Sequence, residues 1–587
     1  MKKAFLFLFT VITFSAISQT DYTRVWGSYH IKNLLVLDSK IDNQGNLIVL
    51  GVYLNSDGVY QPASFFNSLA TAGAYQNNCY WAKKRCHAVS KYSPNGVLLW
   101  STLLNSNSDN DQYSKIAIDN YNNIYVGGYI TGNDNAIGIV NAPANFTNNS
   151  AFKGVVCKLN ANGSYDFGRF MPFIIDDIVF DGNNKLYLTG TTTKQTEVTT
   201  VGVFQPNFII YANQVANGVV ACYDDNLNKV WATYNGKGNE YNELYSKTIT
   251  LDNSQNVYIG GVTNNSNNCY YNTNSFQGQG NDYGITISSY ICKFNNQGQR
   301  IWSTYFGTAI NDGYTIISNM TINDGFLYFI GNTRVSTSIA TAGSFQNIKA
   351  GNPANASNSA DGFIAKFDLN GNRIWGTYFG GIQDDFIRKI AIKNNTIYIA
   401  GFSISTVLAT TTSNQAPYNI PPNSGKFSTF VAQLNLEGSQ KNWCTYFGGE
   451  NDTYCTNLIF GSNSEFYVFG DTDSTTNIST PNANQSNFCN IFNTNNGNVL
   501  RNGFLARFDP TTPLSITVSY NQYSSSFEIF PNPNNGNFLI KIAASNDHDK
   551  ISIIDSQGRA VFVKNTIGLN ENINLENQLQ SGVYFVQ

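Results

Sequence analysis

Charged side chains are scarce in this sequence. Asp, Glu, Lys and Arg make up 12% of the 587 residues, and 35 basic against 38 acidic residues leave a net charge of −3 at pH 7. There is no basic excess to hold nucleic acid and no polybasic run to bind an anionic membrane. Helix formers are also few, and no long segment shows the 3.6-residue period of an amphipathic helix. We therefore expect neither a nucleic-acid-binding protein nor a helical one.

Groups that carry catalysis are equally few. The chain has three histidines, His30, His87 and His548, and lacks GxSxG, HExxH, P-loop and dinucleotide-binding motifs. The sequence offers few side chains that could form a pair of nucleophile and general base. We therefore assign no catalytic residue and no cofactor. Acids that meet from distant parts of the chain to cleave a glycan stay open as the alternative.

Residues 1–18 have the pattern of a secretory signal peptide. The sequence MKKAFLFLFTVITFSAISQT has two lysines, an apolar run from Ala4 to Phe14, and small residues before Gln19. The run is well short of the roughly 20 residues that a spanning helix needs. We therefore expect export and no transmembrane segment.

The nine cysteines lack any CxxC or Cys/His grouping of the zinc type. In an exported protein some cysteines are expected to pair. The local disulfide candidates are Cys79 with Cys86 and Cys444 with Cys455.

Repetition is what the sequence has in abundance. RIWGTYFGGIQDD (373–385) is echoed by RIWSTYFGTAIND (300–312), and seven units of similar length each contain one aromatic at the equivalent position, 64 to 74 residues apart. Such regular spacing indicates one repeat architecture and not several unrelated domains. We call these seven residues the blade aromatics: Trp26, Trp100, Phe167, Trp231, Trp302, Trp375 and Trp443.

Each unit contains two hairpins, typified by KIAIKNNTIYIAGFS (389–403) and GFIAKFDLNGNRIWGTYFG (362–380). Two hairpins make a four-stranded sheet that must stack on its neighbours, and seven such sheets closing in a ring form a β-propeller. RVWGSYH near the start and NGFLARFD (502–509) near the end are each half of a second hairpin, so we expect them to pair. The predicted fold is all-β, a seven-bladed propeller of four-stranded antiparallel blades over residues 19–510. A parallel β-helix is the alternative architecture, but its coils are shorter than these units and do not contain tight hairpin turns.

The repeat resembles a known family. DGFIAKFDLNGNRIWGTYFGG, followed by IYIAGFS and TAGSFQN, is similar to the bacterial β-propeller repeats called SBBP repeats, over roughly residues 22–509. The resemblance implies a seven-bladed propeller. It does not imply a shared enzymatic activity.

The pattern changes after Pro510. Residues 511–525 are a polar linker, and residues 526–587 alternate apolar and polar residues as in a small Ig-like β-sandwich. Three blocks stand out in it: Phe530 to Pro533 with Gly536, Asp555 with Gly558, and Leu579 with Gly582 to Phe585. In these blocks and their order the segment resembles the type IX secretion C-terminal sorting domain. An ordinary Ig-like module is the alternative. The residues that carry the resemblance are Pro531, Asn532, Pro533, Gly536, Asp555, Gly558, Leu579, Gly582, Val583, Tyr584 and Phe585.

The resemblance implies that the type IX secretion machinery is a partner and that the protein is secreted or displayed on the outer-membrane surface of a bacterium. Removal of the domain and attachment to surface lipopolysaccharide both remain open. Family members usually continue into a final strand that ends with basic residues. Because this sequence stops at Gln587, either the chain is truncated or the signal is incomplete.

Acidic residues recur nine residues after most blade aromatics. This spacing predicts that they lie in equivalent turns on the same rim of the ring. Hard oxygen ligands suit Ca²⁺, so these acids are metal-site candidates. The alternative is that each carboxylate accepts backbone N–H groups at its turn. The column comprises Asp109, Asp176, Glu240, Asp384 and Asp452.

Two long loop segments, residues 74–87 and 267–284, combine aromatics with Asn and Gln, which suits sugar stacking or plain loop packing. We expect a monomeric, non-enzymatic extracellular propeller that binds protein or glycan through rim loops. A glycan-active hydrolase or lyase is the alternative, and a structural spacer without a tight ligand is a third. A deep central pocket lined by non-repeated Arg, Tyr, His or acids would favour the enzyme. A shallow rim of Asn, Tyr and Thr would favour binding.

Overall fold

The computed structural model describes most of the propeller and the strands of the C-terminal region. The described residues are 22–30, 34–54, 63–77, 85–104, 112–130, 153–209, 216–236, 245–263, 276–278, 287–307, 313–351, 359–410, 425–481, 483–489, 501–510, 515–517, 527–530, 537–542, 550–555, 560–565, 570–575 and 583–586. The chain forms two compact units, Arg24–Asp509 and Met1–Thr23 together with Pro510–Gln587.

The described residues of the first unit form twenty-eight strands and one short helix. In chain order they are β1 (Tyr22–Tyr29), β2 (Leu35–Ile41), β3 (Leu47–Leu54), α1 (Ala63–Asn67), β4 (Arg85–Tyr92), β5 (Leu98–Leu103), β6 (Gln112–Ile118), β7 (Ile124–Ile130), β8 (Lys153–Leu159), β9 (Tyr165–Met171), β10 (Ile174–Phe180), β11 (Lys185–Thr192), β12 (Asn217–Asp224), β13 (Lys229–Asn235), β14 (Tyr245–Leu251), β15 (Val257–Thr263), β16 (Ser288–Phe294), β17 (Arg300–Phe306), β18 (Thr315–Asn323), β19 (Phe326–Thr333), β20 (Asp361–Asp368), β21 (Arg373–Phe379), β22 (Asp385–Lys393), β23 (Thr396–Ser403), β24 (Ser428–Asn435), β25 (Lys441–Phe447), β26 (Thr453–Phe460), β27 (Phe466–Thr472) and β28 (Asn502–Pro510).

These strands form seven four-stranded sheets, the blades. Blade one is β2 to β5, and the next five blades follow in groups of four, to β22 to β25 for blade six. Blade seven has the order β1-β28-β27-β26, so it combines the last three strands with the first. The innermost strands β2, β6, β10, β14, β18, β22 and β26 pack in turn around the ring, and β26 returns to β2. The predicted fold class, an all-β seven-bladed propeller of four-stranded blades, is confirmed.

Closure of the ring joins the two ends of the repeat region. β1 and β28 are neighbours in one sheet, as the two half-hairpins in the sequence predicted. The backbone N–H of His30 donates to the carbonyl oxygen of Gly503 at 2.7 Å. One buried core cluster contains Leu47 and Val49 of blade one together with Phe469 and Leu505 of blade seven. Apolar packing between sheets therefore continues across the junction of the first and last blades.

Every blade aromatic lies on the outermost strand of its blade. Trp302 and Trp375 each donate the indole N–H to a backbone carbonyl in a hairpin turn of the following blade, Leu369 at 2.9 Å and Leu436 at 3.1 Å. The aromatic thus occupies the gap between neighbouring blades, as the repeat predicted.

The exposed edges of the outermost strands are covered by the blades' own loops. In blade five the backbone N–H of Thr341 donates to Gly376 at 2.9 Å, and that of Tyr378 donates to Gln346 at 3.0 Å. The recurrent TAGSFQN element is this covering segment. An uncovered edge would offer a template for a strand of another chain, so the element protects against edge-to-edge association.

In the second unit the described strands form two sheets. The strands are β29 (Ser515–Thr517), β30 (Phe527–Phe530), β31 (Asn537–Ile542), β32 (Lys550–Asp555), β33 (Ala560–Asn565), β34 (Asn570–Asn574) and β35 (Val583–Val586). Their orders are β29-β35-β32-β33 and β30-β31-β34, and β29 pairs with β35 in parallel. The Ig-like arrangement and the linker stay predictions.

Candidate functional site

Each innermost strand contains one β-bulge at the same place. In blade three, Ile175 pairs with Gly190 and Asp177 pairs with Thr189, so that Asp176 is an extra residue. Because a bulge disturbs the alternation of a strand, it aims side chains that the regular pleat would turn away. The bulge residues are Leu37, Ser114, Asp176, Lys247, Ser318, Arg388 and Thr456, and the residues after them are Asp38, Lys115, Asp177, Thr248, Asn319, Lys389 and Asn457.

A glycine stands opposite every bulge. A Cβ atom at Gly190 would lie 1.7 Å from the carbonyl oxygen of Ile174, and one at Gly401 would lie 1.9 Å from that of Phe386. Only glycine lets the bulged strand come this close. The seven glycines are Gly51, Gly128, Gly190, Gly261, Gly331, Gly401 and Gly470.

Several residues that follow the bulges join neighbouring blades. Side-chain oxygens of Asp38, Asp177 and Asn319 accept backbone N–H groups from the next innermost strand, at 3.0, 2.9 and 3.3 Å. The donors are Ile116, Ile249 and Ile390. These side chains are therefore engaged in holding the ring together.

Asn457 performs the same task where the ring closes. Its Nδ2 donates to the carbonyl oxygen of Ser39 at 2.8 Å, to Ser39 Oγ at 2.9 Å and to Asp38 Oδ1 at 3.1 Å. Burial alone would raise the pKa of Asp38, but the positive charges of Lys40, Lys115 and Lys389 outweigh burial and lower it. Asp38 therefore stays ionised and accepts these hydrogen bonds.

Described residues of the innermost strands enclose two cavities of about 330 Å³ each at the centre of the ring. We call the one toward the N-terminal ends of the innermost strands the upper cavity, because it is lined by residues such as Ile174 to Asp176. The lower cavity is lined by the residues that follow, such as Asp177 to Phe180.

Four charged side chains from four different blades line the upper cavity: Lys115, Asp176, Lys247 and Arg388. The repeat does not explain Asp176, Lys247 and Arg388, since the other four bulges have Leu37, Ser114, Ser318 and Thr456. Lys115 is the residue after a bulge, where blade six has Lys389. Lys247 and Arg388 are exposed to the solvent in the channel. Three cations and one acid line this cavity and give it an excess of positive charge. Lys115 also lines the lower cavity, where the charges of Asp38 and Asp177 act on it and reduce that excess.

Asp176 is the one carboxylate among the described residues that line the upper cavity. Burial raises its pKa to about 6, and the like charge of Asp177 adds to the rise. Lys247, Lys115 and the Thr191 hydroxyl, which donates to Asp176 Oδ2 at 3.1 Å, oppose it. Asp176 is therefore able to change its protonation state near neutral pH.

Lys115 stays charged. Burial by itself would lower its pKa, but the charges of Asp177, Asp38 and Asp176 outweigh burial and raise the pKa above its ordinary value.

Gln112 lines the upper cavity with a fixed orientation. Its Oε1 accepts the Nη1–H of Arg85 at 2.8 Å and the hydroxyl of Tyr129 at 2.9 Å. Because both partners are donors, the carbonyl side of the amide is identified and the NH₂ group is directed elsewhere.

Arg388 rests on an aromatic cluster. Its guanidinium carbon lies 5.1 Å from the ring centre of Phe402, and that ring lies 4.9 Å from Tyr454 and 5.3 Å from Phe386. Stacking of this kind fixes the plane of a guanidinium group. Desolvation by the surrounding protein lowers the pKa of Arg388 even though its side chain reaches solvent, and an arginine remains charged.

The predicted column of acids is not one structural column. Asp384 and Asp452 precede the innermost strands of their blades, and each accepts one backbone N–H, from Ala360 at 2.8 Å and from Phe427 at 2.6 Å. Asp176 lies instead at a bulge inside β10. The expectation of one rim is therefore wrong for Asp176, because blade three reaches its innermost strand after fewer residues.

Asp109 and Glu240 lie outside the described residues. Among the described residues, no three His, Cys, Asp or Glu side chains come together as a metal-ion site. A calcium site stays a prediction.

The pairing of Cys444 with Cys455 is wrong, because both are buried free thiols. Cys444 is on the outermost strand of blade six and Cys455 on the innermost strand of blade seven. The outermost strand of a blade lies three inter-strand spacings, about 14 Å, from the innermost strand. A disulfide needs Cα atoms within about 7 Å of each other. Cys86 is buried in β4, and Cys79 lies outside the described residues.

Several other predictions fall on residues that the structure does not describe. They are the signal peptide, His548, most of the two aromatic loop segments, and Pro531, Asn532, Pro533, Gly536, Gly558 and Gly582 of the sorting signal. Tyr584 is in β35, where it pairs with Asp555 of β32. The part of the chain that the structure describes has no helix with the length and apolar character of a membrane span.

The channel residues were missed from the sequence, although a signal for them exists. A glycine in the second strand of each first hairpin, as in IYIAGFS, marks the bulge opposite to it. Side chains alternate between the two faces of a strand, and the extra residue of the bulge shifts this alternation by one. The alternation alone therefore does not identify the residues that face the channel.

Two family models match this chain. Residues 528–587 match the secretion system C-terminal sorting domain, and residues 99–134 match the SBBP β-propeller repeat. The chain therefore carries an SBBP repeat and a type IX sorting domain, which marks it for export to the cell surface or the extracellular space of a bacterium.

An uncharacterized WD repeat-containing protein of Acanthamoeba polyphaga mimivirus is 21% identical over 504 residues, which are 73% of this chain and 34% of the viral protein. The chain thus spans about a third of the length of this curated relative.

Two solved structures show a distant likeness to this chain. A protein of unknown function from Dyadobacter fermentans is 9% identical, with a TM-score of 0.38, over 84% of this chain and 99% of its own. A polysaccharide lyase of family PL25, an ulvan lyase, is 10% identical, with a TM-score of 0.40, over 76% and 91%. At these values the likenesses carry no argument about ligand or activity.

Proposed function

We propose that this exported propeller is a ligand-binding protein without catalytic activity, and that its ligand presents an acid group to the upper cavity. The observation that carries the proposal is the lining of that cavity. Lys115, Lys247 and Arg388 come from blades two, four and six, and Asp176 is the single carboxylate beside them among the described residues.

Electrostatics supports an anionic ligand. Charges of one sign inside a cavity with protein walls act through a lower dielectric than in water and attract counter-ions more strongly. The volume of about 330 Å³ is at the lower end of ligand pockets. The cavity therefore suits one acidic group of a larger molecule and excludes a folded protein segment.

Binding through rim loops stays a prediction. Loop segments such as 131–152 and 264–275 lie outside the described residues. The upper cavity is the site that the described residues support, and rim loops would hold the rest of the ligand.

An enzyme is the second candidate, and Asp176 is the observation that favours it. A carboxyl group with a pKa of about 6 suits general acid or base catalysis near neutral pH. The charged lining also breaks the repeat symmetry, as expected of a catalytic site. Against this, glycoside hydrolysis ordinarily needs two carboxylates. The neighbouring Asp177 has both oxygens occupied by the backbone N–H groups of Ile178 and Ile249, at 3.0 and 2.9 Å.

Calorimetric titration of the secreted protein tests the proposal. The probes are inorganic sulfate and glucuronate as acids and glucose as the neutral control. We expect at least one acid to bind ten times more tightly than glucose, and Lys247→Gln and Arg388→Gln each to weaken it about tenfold, because each removes a charge-assisted hydrogen bond. Lys393→Gln, at the opposite end of the strand that carries Arg388, should change nothing. Equal affinity for all three probes, or equal loss in all three variants, would overturn the proposal.

A product assay tests the enzyme. Acidic polysaccharides incubated with the wild-type protein should release no new chain ends detectable by mass spectrometry. New ends that disappear with Asp176→Asn would favour the enzyme instead.

A further inference from the structure

We infer that the acid group held in the upper cavity is a tetrahedral oxyanion ester, a sulfate or a phosphate, and not a planar carboxylate. This inference rests on the proposed function and names the chemical class of its ligand.

The arrangement of the three cations around the channel is the first argument. Seven blades divide the ring into steps of about 51°, so cations in blades two, four and six are separated by about 103°, 103° and 154°. Lys115, Lys247 and Arg388 therefore approach the channel axis from three sides. A carboxylate has two oxygens in one plane and cannot face three sides at once. A sulfate or phosphate monoester has three terminal oxygens arranged around the ester bond.

The direction of the ester bond follows from this match. If the three terminal oxygens face the three cations, the fourth oxygen points along the channel axis and out of the upper cavity. The remainder of the ligand then lies over the face formed by the N-terminal ends of the innermost strands. A carboxylate attached to a ring carbon would have to bring the ring itself into a cavity of about 330 Å³.

The three cations are also suited to different tasks. Arg388 is held on Phe402 and offers a rigid fork to two oxygens. Lys115 and Lys247 each carry a compact ammonium charge on a four-carbon stem, which suits contact with a single oxygen. Ser114 and Ser318 also line the cavity, but they donate their hydroxyl hydrogens to the carbonyl oxygens of Ile175 at 3.2 Å and Ile387 at 2.9 Å.

Gln112 adds a fourth donor. Because Arg85 and Tyr129 both donate to its Oε1, the amide NH₂ is the side left to serve a ligand in the cavity. A group with many acceptor lone pairs and no hydrogen satisfies such a set of donors. Sulfate and phosphate esters have more of these lone pairs than a carboxylate does. Arg85 is a positioning residue here, since it acts through Gln112.

The test uses four ligands of one skeleton: glucose, glucuronate, glucose 6-sulfate and glucose 6-phosphate. Calorimetric titrations at one ionic strength and pH 7 should show at least one ester binding ten times more tightly than glucuronate. The tighter ester identifies the source of the oxyanion, a sulfated or a phosphorylated ligand. Glucuronate binding as tightly as both esters would overturn this inference and leave the proposed function intact. Failure of all three acids would overturn both.

Variants separate the donors. Gln112→Glu replaces the NH₂ donor by a carboxylate and should weaken the preferred ester at least tenfold. Arg388→Lys keeps the charge but removes the fork, and should reduce the preference for the ester over glucuronate about threefold to tenfold. Arg300→Gln is the matched control, because this guanidinium also stacks on a ring, 3.9 Å from Phe204, but on outermost strand β17. Circular dichroism melting of each variant shows whether it is folded. An unchanged ester affinity in folded Gln112→Glu and Arg388→Lys would contradict the inference.

Discussion

The indole ring of Trp375 lies directly against Gly438 of the following blade. A Cβ atom on Gly438 would be 2.6 Å from the ring, and the glycine has φ +64°. The same pairing of a blade tryptophan with a positive-φ glycine recurs around the ring. The other pairs are Trp26 with Gly96, Trp100 with Gly163, Trp231 with Gly298 and Trp302 with Gly371.

This relationship predicts that Gly438→Ala is more destabilising than an ordinary positive-φ substitution. The change adds left-handed strain and a clash with Trp375, so we expect the free energy of unfolding to fall by about 2 to 4 kcal/mol. Gly325→Ala is the matched control, since Gly325 has φ +75° and nothing within 4 Å of a new Cβ. It should cost about 1 to 2 kcal/mol. Equal urea midpoints for the two variants would show that the packing against Trp375 contributes nothing.

Between blades two and three this pairing has neither the tryptophan nor the glycine. The blade aromatic of blade two is Phe167, and the corresponding turn of blade three has Leu227 with φ +58°. Leu227 is buried, and Phe167 packs against the same core cluster. The smaller aromatic leaves room that the leucine fills.

Exchange of this pair tests the complementarity. Phe167→Trp alone should cost about 1 to 3 kcal/mol through overpacking. Leu227→Gly alone should cost about 1 to 3 kcal/mol, because the cavity outweighs the relief of the left-handed conformation at φ +58°. The double variant should restore the common pair and cost at least 1 kcal/mol less than the two losses together. Urea unfolding of the four proteins measures this coupling. Strictly additive losses would refute the size match.

Ring closure depends on Asn457. Asn457→Asp removes three donated hydrogen bonds to Ser39 and Asp38 and sets two carboxylates against each other. We expect a loss of about 2 to 4 kcal/mol at pH 7 and faster amide exchange in β2 and β26. Asn319→Asp is the control, because Asn319 accepts the Ile390 N–H and a carboxylate can do the same. If both variants are equally stable, the account of closure fails.

Buried acids predict that the propeller is more stable in mild acid. Burial, together with the charge of Asp385, raises the pKa of Asp361 to about 8, while Lys349, the Gln346 amide and the Ala350 N–H oppose the rise. An unfolded aspartate titrates near 3.9. Between these values the folded state binds the extra proton, so stability is lost as the pH rises toward 8.

Thermal melting at pH 5, 6, 7 and 8 measures this loss. The wild-type melting temperature should fall across the range, and most of the fall from pH 7 to 8 should disappear in Asp361→Asn. Asp385 and Asp471, whose pKa values burial raises to about 6 and about 7, account for the fall at lower pH. Asp324→Asn, at an exposed turn, should keep the wild-type profile. A melting temperature that rises with pH would reverse the sign of the argument.

Ligand binding should depend on pH through Asp176. Above its pKa of about 6 the carboxylate repels an anion, and below it the protonated group can donate a hydrogen bond. Lys247, Lys115 and Asp177 face Asp176 from their strands, and Thr191 donates to it. We expect the affinity for glucose 6-sulfate, whose charge is constant in this range, to rise about tenfold from pH 7.5 to 5. Asp176→Asn should bind with nearly constant affinity. If the affinity of Asp176→Asn changes with pH as in the wild type, a group other than Asp176 causes the pH dependence.

The architecture was predictable from the sequence because each blade repeats the same packing problem. Trp375 and its equivalents gave the number of blades, and the half-hairpins around Trp26 and Phe504 gave the closure. The glycines of the second hairpins were visible as turn residues, but their contact with the tryptophan of another blade depends on how two sheets stack.

The site was much less predictable. Counting from the blade aromatics placed Asp176 with Asp384 and Asp452, although it lies at a bulge inside a strand. Lys115, Lys247 and Arg388 looked like ordinary strand residues, since their meeting depends on the ring and on the bulges together. The signal that the sequence did contain is the glycine opposite each bulge, such as Gly190 opposite Asp176.

The most direct test is to locate a tetrahedral oxyanion in the protein. Crystals of the full secreted chain grown with selenate, at saturating concentrations well above its measured dissociation constant, allow selenium to be found by its anomalous scattering. We predict one site in the upper cavity, with its oxygens in contact with Lys115, Lys247 and Arg388, that is lost in Arg388→Gln crystals. An upper cavity without selenate at saturation, or selenate bound only elsewhere, would contradict the account.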